Sequence, residues 1–163
     1  MKLKDYVLWE NDKIRVVIQG KANWPAKYGG HIVVEQKMNI STPYSDYSLY
    51  AKMSVIAAAI QKVLEQTGLA PHANLQSNSN WAFRNEDGSF RDIKEGQNHR
   101  NLHIHIYGRK KGKDSNWGEP IRPAYWQEQQ VEQKYWGQIW NKKQINKLTD
   151  FLNEEIPKAL KKI

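Results

Sequence analysis

Cysteine is absent from the 163 residues, which excludes disulfides, thiolate zinc sites, iron–sulfur clusters and a cysteine nucleophile. Long apolar runs are absent too. No stretch approaches the ~18 consecutive apolar residues of a membrane span, so no membrane protein is expected. The opening Met1-Lys2-Leu3-Lys4-Asp5 lacks the apolar segment and small-residue cleavage site of a secretory leader, and the expected location is the cytoplasm. No internal repeat, low-complexity block or linker divides the chain, so the expectation is a single domain over residues 1–163.

What is present is aromatic and basic. Seven Trp, eight Tyr and three Phe are too many for a disordered chain. Lys and Arg number 25 against 17 Asp and Glu, a net charge of +8, and such a balance attracts polyanions such as nucleotides or nucleic acid. The basic residues concentrate in Arg109-Lys110-Lys111-Gly112-Lys113 and in the tail at Lys158, Lys161 and Lys162. In the tail they suit the negative end of a helix dipole.

Periodicity gives the elements. Tyr6-Val7-Leu8-Trp9 is short and apolar, and Ile14, Val16 and Ile18 alternate as one face of a strand over 13–19. Residues 20–30 read as a loop, followed by a strand at His31-Ile32-Val33-Val34-Glu35. Ser45 or Asp46 can cap a helix whose apolar face is Leu49, Met53, Ile56, Ile60, Val63 and Leu64, stopping near Gly68. Residues 72–76 are strand-like, and 77–98 is long, polar and turn-rich. The clearest strand is 101–107, where Leu102, Ile104 and Ile106 alternate with Asn101, His103 and His105. Residues 142–163 show a helical stripe of Ile145, Leu148, Phe151, Leu152, Ile156 and Leu160, with Pro157 expected to bend or break it. Strands and two helices without βαβ alternation predict an α+β fold with a mainly antiparallel sheet, one long central helix and a C-terminal helix.

Two histidines two apart on a strand share a face, with Cα atoms about 7 Å apart. Neighbouring imidazoles near neutral pH offer a nucleophile, a general acid or base, or metal ligands. A metal site through His99, His103 and His105 would need a further ligand, and the nearest downstream acids, Asp114 and Glu119, fall in a turn-rich stretch. Trp24 and Tyr28 suit either base stacking or the core.

The full run Gly96-Gln97-Asn98-His99-Arg100-Asn101-Leu102-His103-Ile104-His105-Ile106-Tyr107-Gly108-Arg109 resembles the signature of the histidine triad superfamily of nucleotide hydrolases and transferases. That signature is three histidines alternating with apolar residues, preceded in many members by Gly-Gln and often followed by Gly-Arg. His103 falls on the middle histidine and His105 on the last, while Asn101 stands where the first would be. Upstream, Gly30-His31-Ile32-Val33-Val34 is similar to the family's Gly-His and aliphatic strand. The resemblance covers roughly residues 6–110 and leaves an unmatched C-terminal extension from about 115.

The resemblance implies nucleophilic attack by His103 on the α-phosphorus of a nucleotide, with His105 assisting the leaving group. Dinucleoside polyphosphates and nucleoside phosphoramidates are the implied substrate classes. It places Gln97, Asn98 and Asn78 near phosphate or ribose, though as bare sequence each reads equally as a loop residue. His31 is placed near the nucleoside, with a plain strand-end histidine as the other reading, and Arg109 could add long-range positive charge. The Asn101 backbone carbonyl can still orient His103, but its side chain cannot exchange a proton. No cofactor is required, a divalent cation could accompany the substrate phosphates, and a homodimer is implied. The main competing expectation is a non-catalytic nucleotide- or RNA-binding module, which the charge and the Trp/Tyr-rich stretch 125–136 favour.

Overall fold

The computed structural model describes residues 4–22, 24–37, 46–77, 83–84, 90–91, 102–112 and 137–163. Its elements are β1 (Tyr6–Glu10), β2 (Ile14–Ile18), β3 (His31–Gln36), α1 (Tyr47–Gln66), β4 (His72–Gln76), β5 (Phe83–Arg84), β6 (Phe90–Arg91), β7 (His103–Arg109) and α2 (Lys142–Leu160). Five strands form one sheet in the order β1-β2-β3-β7-β4, with every neighbouring pair antiparallel. The α+β architecture expected from the sequence is therefore the one observed. No helix among the described residues is long and apolar enough to cross a membrane.

The sheet has one dry face. Ile14, Val16, Ile18, Ile32, Val34, Ile104 and Ile106 are buried in a single core cluster with Leu49, Met53, Ile56, Ile60, Val63 and Leu64 of α1. At about 25 cal/mol per Å² of apolar area withdrawn from water, this seam is the main stabilising contribution to the fold. Asp46 starts α1 by accepting from the Leu49 backbone N–H at 2.9 Å. Asn141 and Gln144 start α2 with a reciprocal capping box, which satisfies donors that a helix start otherwise leaves orphaned.

Helix α2 buries Ile145, Leu148, Leu152 and Ile156 and packs on α1 and β1. Pro157 lies inside it without ending it, so of the expected bend or break the break does not occur. The ring deletes one N–H near the end of the helix, and the fully buried Ile156 beside it anchors the turn. The Lys161 N–H still reaches the Pro157 carbonyl at 3.3 Å.

The β3–β7 pairing runs on to Leu102, whose carbonyl accepts from the Gln36 N–H at 3.2 Å, and residue 101 lies outside the described residues. One boundary also differs from the sequence reading. The polar stretch 77–98 is not loop throughout, since β5 and β6 pair within it.

The segment before β3 is held from two sides. The Gly108 N–H donates to the Gly30 carbonyl at 2.9 Å and the Lys110 N–H to the Tyr28 carbonyl at 2.8 Å. The Ala26 N–H donates to the Gln138 carbonyl at 2.8 Å, which brings the chain before α2 alongside. Trp140 then lies against Gly30, whose φ of +76° already disfavours a side chain and where a Cβ would overlap the indole. The C-terminal segment thus fixes the backbone one residue before His31.

Candidate active site

Residues paired across antiparallel strands project to the same face, with Cβ atoms about 5 Å apart. The β3–β7 register pairs His31 with Tyr107, Val33 with His105 and Glu35 with His103. On the far side of β7, Asn74 pairs with Tyr107 and Gln76 with His105. The face of the sheet turned away from α1 therefore carries His103, His105, Tyr107 and His31 together.

These rings touch in sequence. His103 Nε2 lies 2.9 Å from His105 Nε2, with the two rings edge to face at 4.5 Å. His105 Nδ1 lies 2.9 Å from His31 Nε2. His31 stacks on His105 at 5.1 Å and on Tyr107 at 4.6 Å with only 13° between the planes. Three imidazoles thus form a hydrogen-bonded chain, His31–His105–His103, backed by a phenol ring. Ser77 Oγ donates to the His103 carbonyl at 3.3 Å.

Burial grades along this chain. His31 is 1% exposed, whereas His103 and His105 are half-buried. Burial, with a smaller contribution from the charge of His103, pushes the His31 pKa from 6.5 down to about 3. His31 is therefore a neutral imidazole at any physiological pH.

When all three rings are neutral, the chain has two proton polarities. If protons point from His103 toward His31, His103 Nε2 carries hydrogen and is not a nucleophile. If they point from His31 through His105 to His103, His103 Nε2 keeps its lone pair and His105 Nε2–H faces it. Only the second polarity is reactive, and it requires the hydrogen of His103 to sit on Nδ1.

The structure brings His31 to His103 and His105 by a direct contact that local sequence could not show. Arg109 stands at the other end of β7, its Cα roughly 20 Å from that of His103. Its guanidinium contacts Asn74 Oδ1 at 3.4 Å, level with Tyr107, and lies 5.7 Å from the Trp24 ring centroid. Trp24 and Tyr28 belong to a small buried cluster with Tyr107, and Trp24 Nε1 donates to the Gly108 carbonyl at 3.0 Å, which makes both residues core. Gln97, Asn98, Asn101, Asn78 and His99 lie outside the described residues. Among the described residues, no group of three or more His, Asp or Glu is arranged to hold a metal ion. Sequence reasoning missed the stacking role of Tyr107, although its position two after His105 on an alternating strand already put it on the same face.

No protein-family model matches the sequence, and no curated protein does. Solved structures do. A hypothetical histidine triad nucleotide-binding protein from Sulfolobus tokodaii superposes with a TM-score of 0.50 at 17% identity, covering 99% of this chain and 89% of its own. A histidine triad protein from Marinobacter aquaeolei gives a TM-score of 0.52 at 13% identity, covering 93% and 90%. The chain has the histidine triad fold. His103 and His105, which the sequence resemblance aligns with the middle and last histidines of the motif, stand on β7, between β3 and β4.

Proposed function

We propose that this histidine triad-fold protein is a nucleotide hydrolase or nucleotidyl transferase acting at the α-phosphate through a nucleotidyl-His103 intermediate. The observation that carries the reading is the hydrogen-bonded chain from the buried, neutral His31 through His105 to the half-buried His103. In the reactive polarity, His103 Nε2 bonds to phosphorus while the bond from phosphorus to the leaving oxygen or nitrogen breaks, its electron pair going to the leaving atom. The Nε2–H of His105, released from His103, turns to the phosphoryl and leaving-group atoms and stabilises their developing charge. Water or an acceptor alcohol then attacks the same phosphorus and frees His103.

Dinucleoside polyphosphates and nucleoside phosphoramidates are the substrates of this reading. No resident cofactor is part of it, although a divalent cation can ride on the substrate phosphates. Assembly as a homodimer belongs to the same proposal and is supported by the sheet edge at β4, where Leu75 is 47% exposed.

The test is to incubate the protein with diadenosine tetraphosphate, and separately with an AMP–amine phosphoramidate, each with and without EDTA. AMP should be released, and rapid acid-free quenching should trap AMP on the protein through an acid-labile P–N bond. A nucleotide-dependent rise in melting temperature without any release would point instead to the non-catalytic binding module.

A further inference from the structure

The row of residues that contains His103 continues across the sheet. Glu35 pairs with His103, Arg15 with Glu35 and Glu10 with Arg15, so four strands place Glu10, Arg15, Glu35 and His103 in one line on one face. Arg15 Nε forms an ion pair with Glu35 Oε1, the Glu35 side chain being 19% exposed and that of Arg15 48%. Lys37 Nζ reaches Glu10 at 3.2 Å, at the outer end of the row. With strands ~4.8 Å apart, the carboxylate stands one strand from His103 and the guanidinium two strands away. The pair is a dipole whose negative end stands on the strand next to the nucleophile's. The Arg109 guanidinium, beside Asn74 and so level with Tyr107, is roughly 13 Å along β7 from His103, beyond a physiological screening length of about 8 Å.

We propose that Glu35, held in place by Arg15, is a specificity-determining residue that favours nucleotides with an amine leaving group over those with a polyphosphate leaving group. This inference rests on the nucleotidyl-transfer reading above and names its substrate class. The nucleotidyl half is common to both substrates, so its interaction with the dipole cancels in the comparison and only the leaving group differs. A polyphosphate brings several negative charges toward the carboxylate. An amine brings none. Its nitrogen takes one proton from solvent by way of His105 while still bonded to phosphorus, becoming R–NH2⁺–P, a cation that the carboxylate stabilises, and it then departs with the P–N electron pair as the neutral amine. In the row above His103's, Val33 and Val17 occupy the positions equivalent to Glu35 and Arg15, so of these two rows on β2 and β3 only the nucleophile's carries charge.

The experiment compares kcat/KM for diadenosine tetraphosphate with kcat/KM for AMP joined to butylamine. It uses the wild-type protein, Glu35→Gln and Arg15→Gln, at low and high salt. Glu35→Gln should shift the ratio toward the polyphosphate by about three- to tenfold, the scale of one screened charge several ångströms from the reacting atoms. Arg15→Gln should shift it the opposite way, because the carboxylate then stands without its partner. High salt should shrink both shifts and also reduce the wild-type preference for the amine. A structural role alone would slow both substrates together and leave the ratio in place. Ratios within about twofold of wild type in both variants, shifts of the same sign, or a salt-independent wild-type preference would overturn the inference. Wild-type protein that turns over neither substrate would instead overturn the nucleotidyl-transfer reading beneath it.

Discussion

Alternate residues of β7 build two unlike surfaces. Ile104 and Ile106 are 4% and 0% exposed in the core beneath α1, while His103 and His105 face the other way and contact one another and His31. Both sets share one backbone and one register, so the difference comes from side chains alone. The period of two in a strand lets a single heptapeptide carry packing energy on one side and chemistry on the other. The histidine side is itself graded. At the Tyr107 end His31 is sealed and neutral, and at the Glu35 end His103 is accessible. If this division is sound, substitutions on the two faces should fail in different measurements.

The largest effect is expected on the histidine face. His103→Ala should lower kcat/KM for AMP release by about 10⁴-fold or more, while unfolding stability changes by less than about 1 kcal/mol, since a half-buried side chain is removed. Substantial residual turnover with no trapped nucleotidyl-protein would place the nucleophile elsewhere. On the core face, Ile106→Ala should cost about 2–5 kcal/mol in urea unfolding, the range for a buried large-to-small change that leaves a cavity. Its folded fraction should retain far more activity than His103→Ala. If Ile106→Ala were as inactive as His103→Ala while still folded, the two faces would not be separable.

The graded histidine face can be tested by pH. The His31 pKa is near 6.5 unfolded and about 3 folded. Between those values the unfolded chain binds a proton that the folded chain does not, so stability falls as the pH falls through this window. Each pH unit is worth about 1.4 kcal/mol, which from 6.5 to 5 gives roughly 2 kcal/mol. His31→Phe keeps a neutral ring and should remove this part of the acid sensitivity, measured as the difference between the urea midpoints of the two proteins at pH 7 and pH 5. Identical pH dependence in both would show that His31 is not held neutral by burial.

Much of this was legible in the sequence because it is local. The 102/104/106 against 103/105 alternation, the α1 stripe and the Asp46 cap depend on residues within one element, and all three appear in the structure. What was illegible depends on distant pairings. The contact between His31 and His105 follows from the β3–β7 register, which no local pattern specifies, and the same register aligns Glu35 with His103. Arg109 was expected only as long-range charge, and its partners Asn74 and Trp24 likewise come from distant segments that no local pattern names. Trp140 under Gly30 was hidden for a similar reason, since nothing near either residue announces the other. Pro157 was misread because a breaker rule that is sound for an isolated helix is overridden where buried Ile156 holds the turn.

The smallest effect tests whether α2 belongs wholly to the packing side of the division. Its start depends on Asn141, whose side chain accepts from the Gln144 N–H at 3.0 Å while Gln144 Oε1 accepts from the Asn141 N–H at 3.1 Å. Asn141→Ala removes the first bond directly and should cost about 1 kcal/mol. Because α2 packs on α1 and β1 and not on the histidine face, kcat/KM per folded molecule should be unchanged. The one route from α2 to the site runs through Trp140, which precedes the cap and lies against Gly30 beside His31. A loss of activity larger than the loss of folded protein would mean that fraying at Asn141 loosens Trp140 and, with it, the placement of His31. The extension would then be part of the site's support and not only a cover for the apolar face of the sheet.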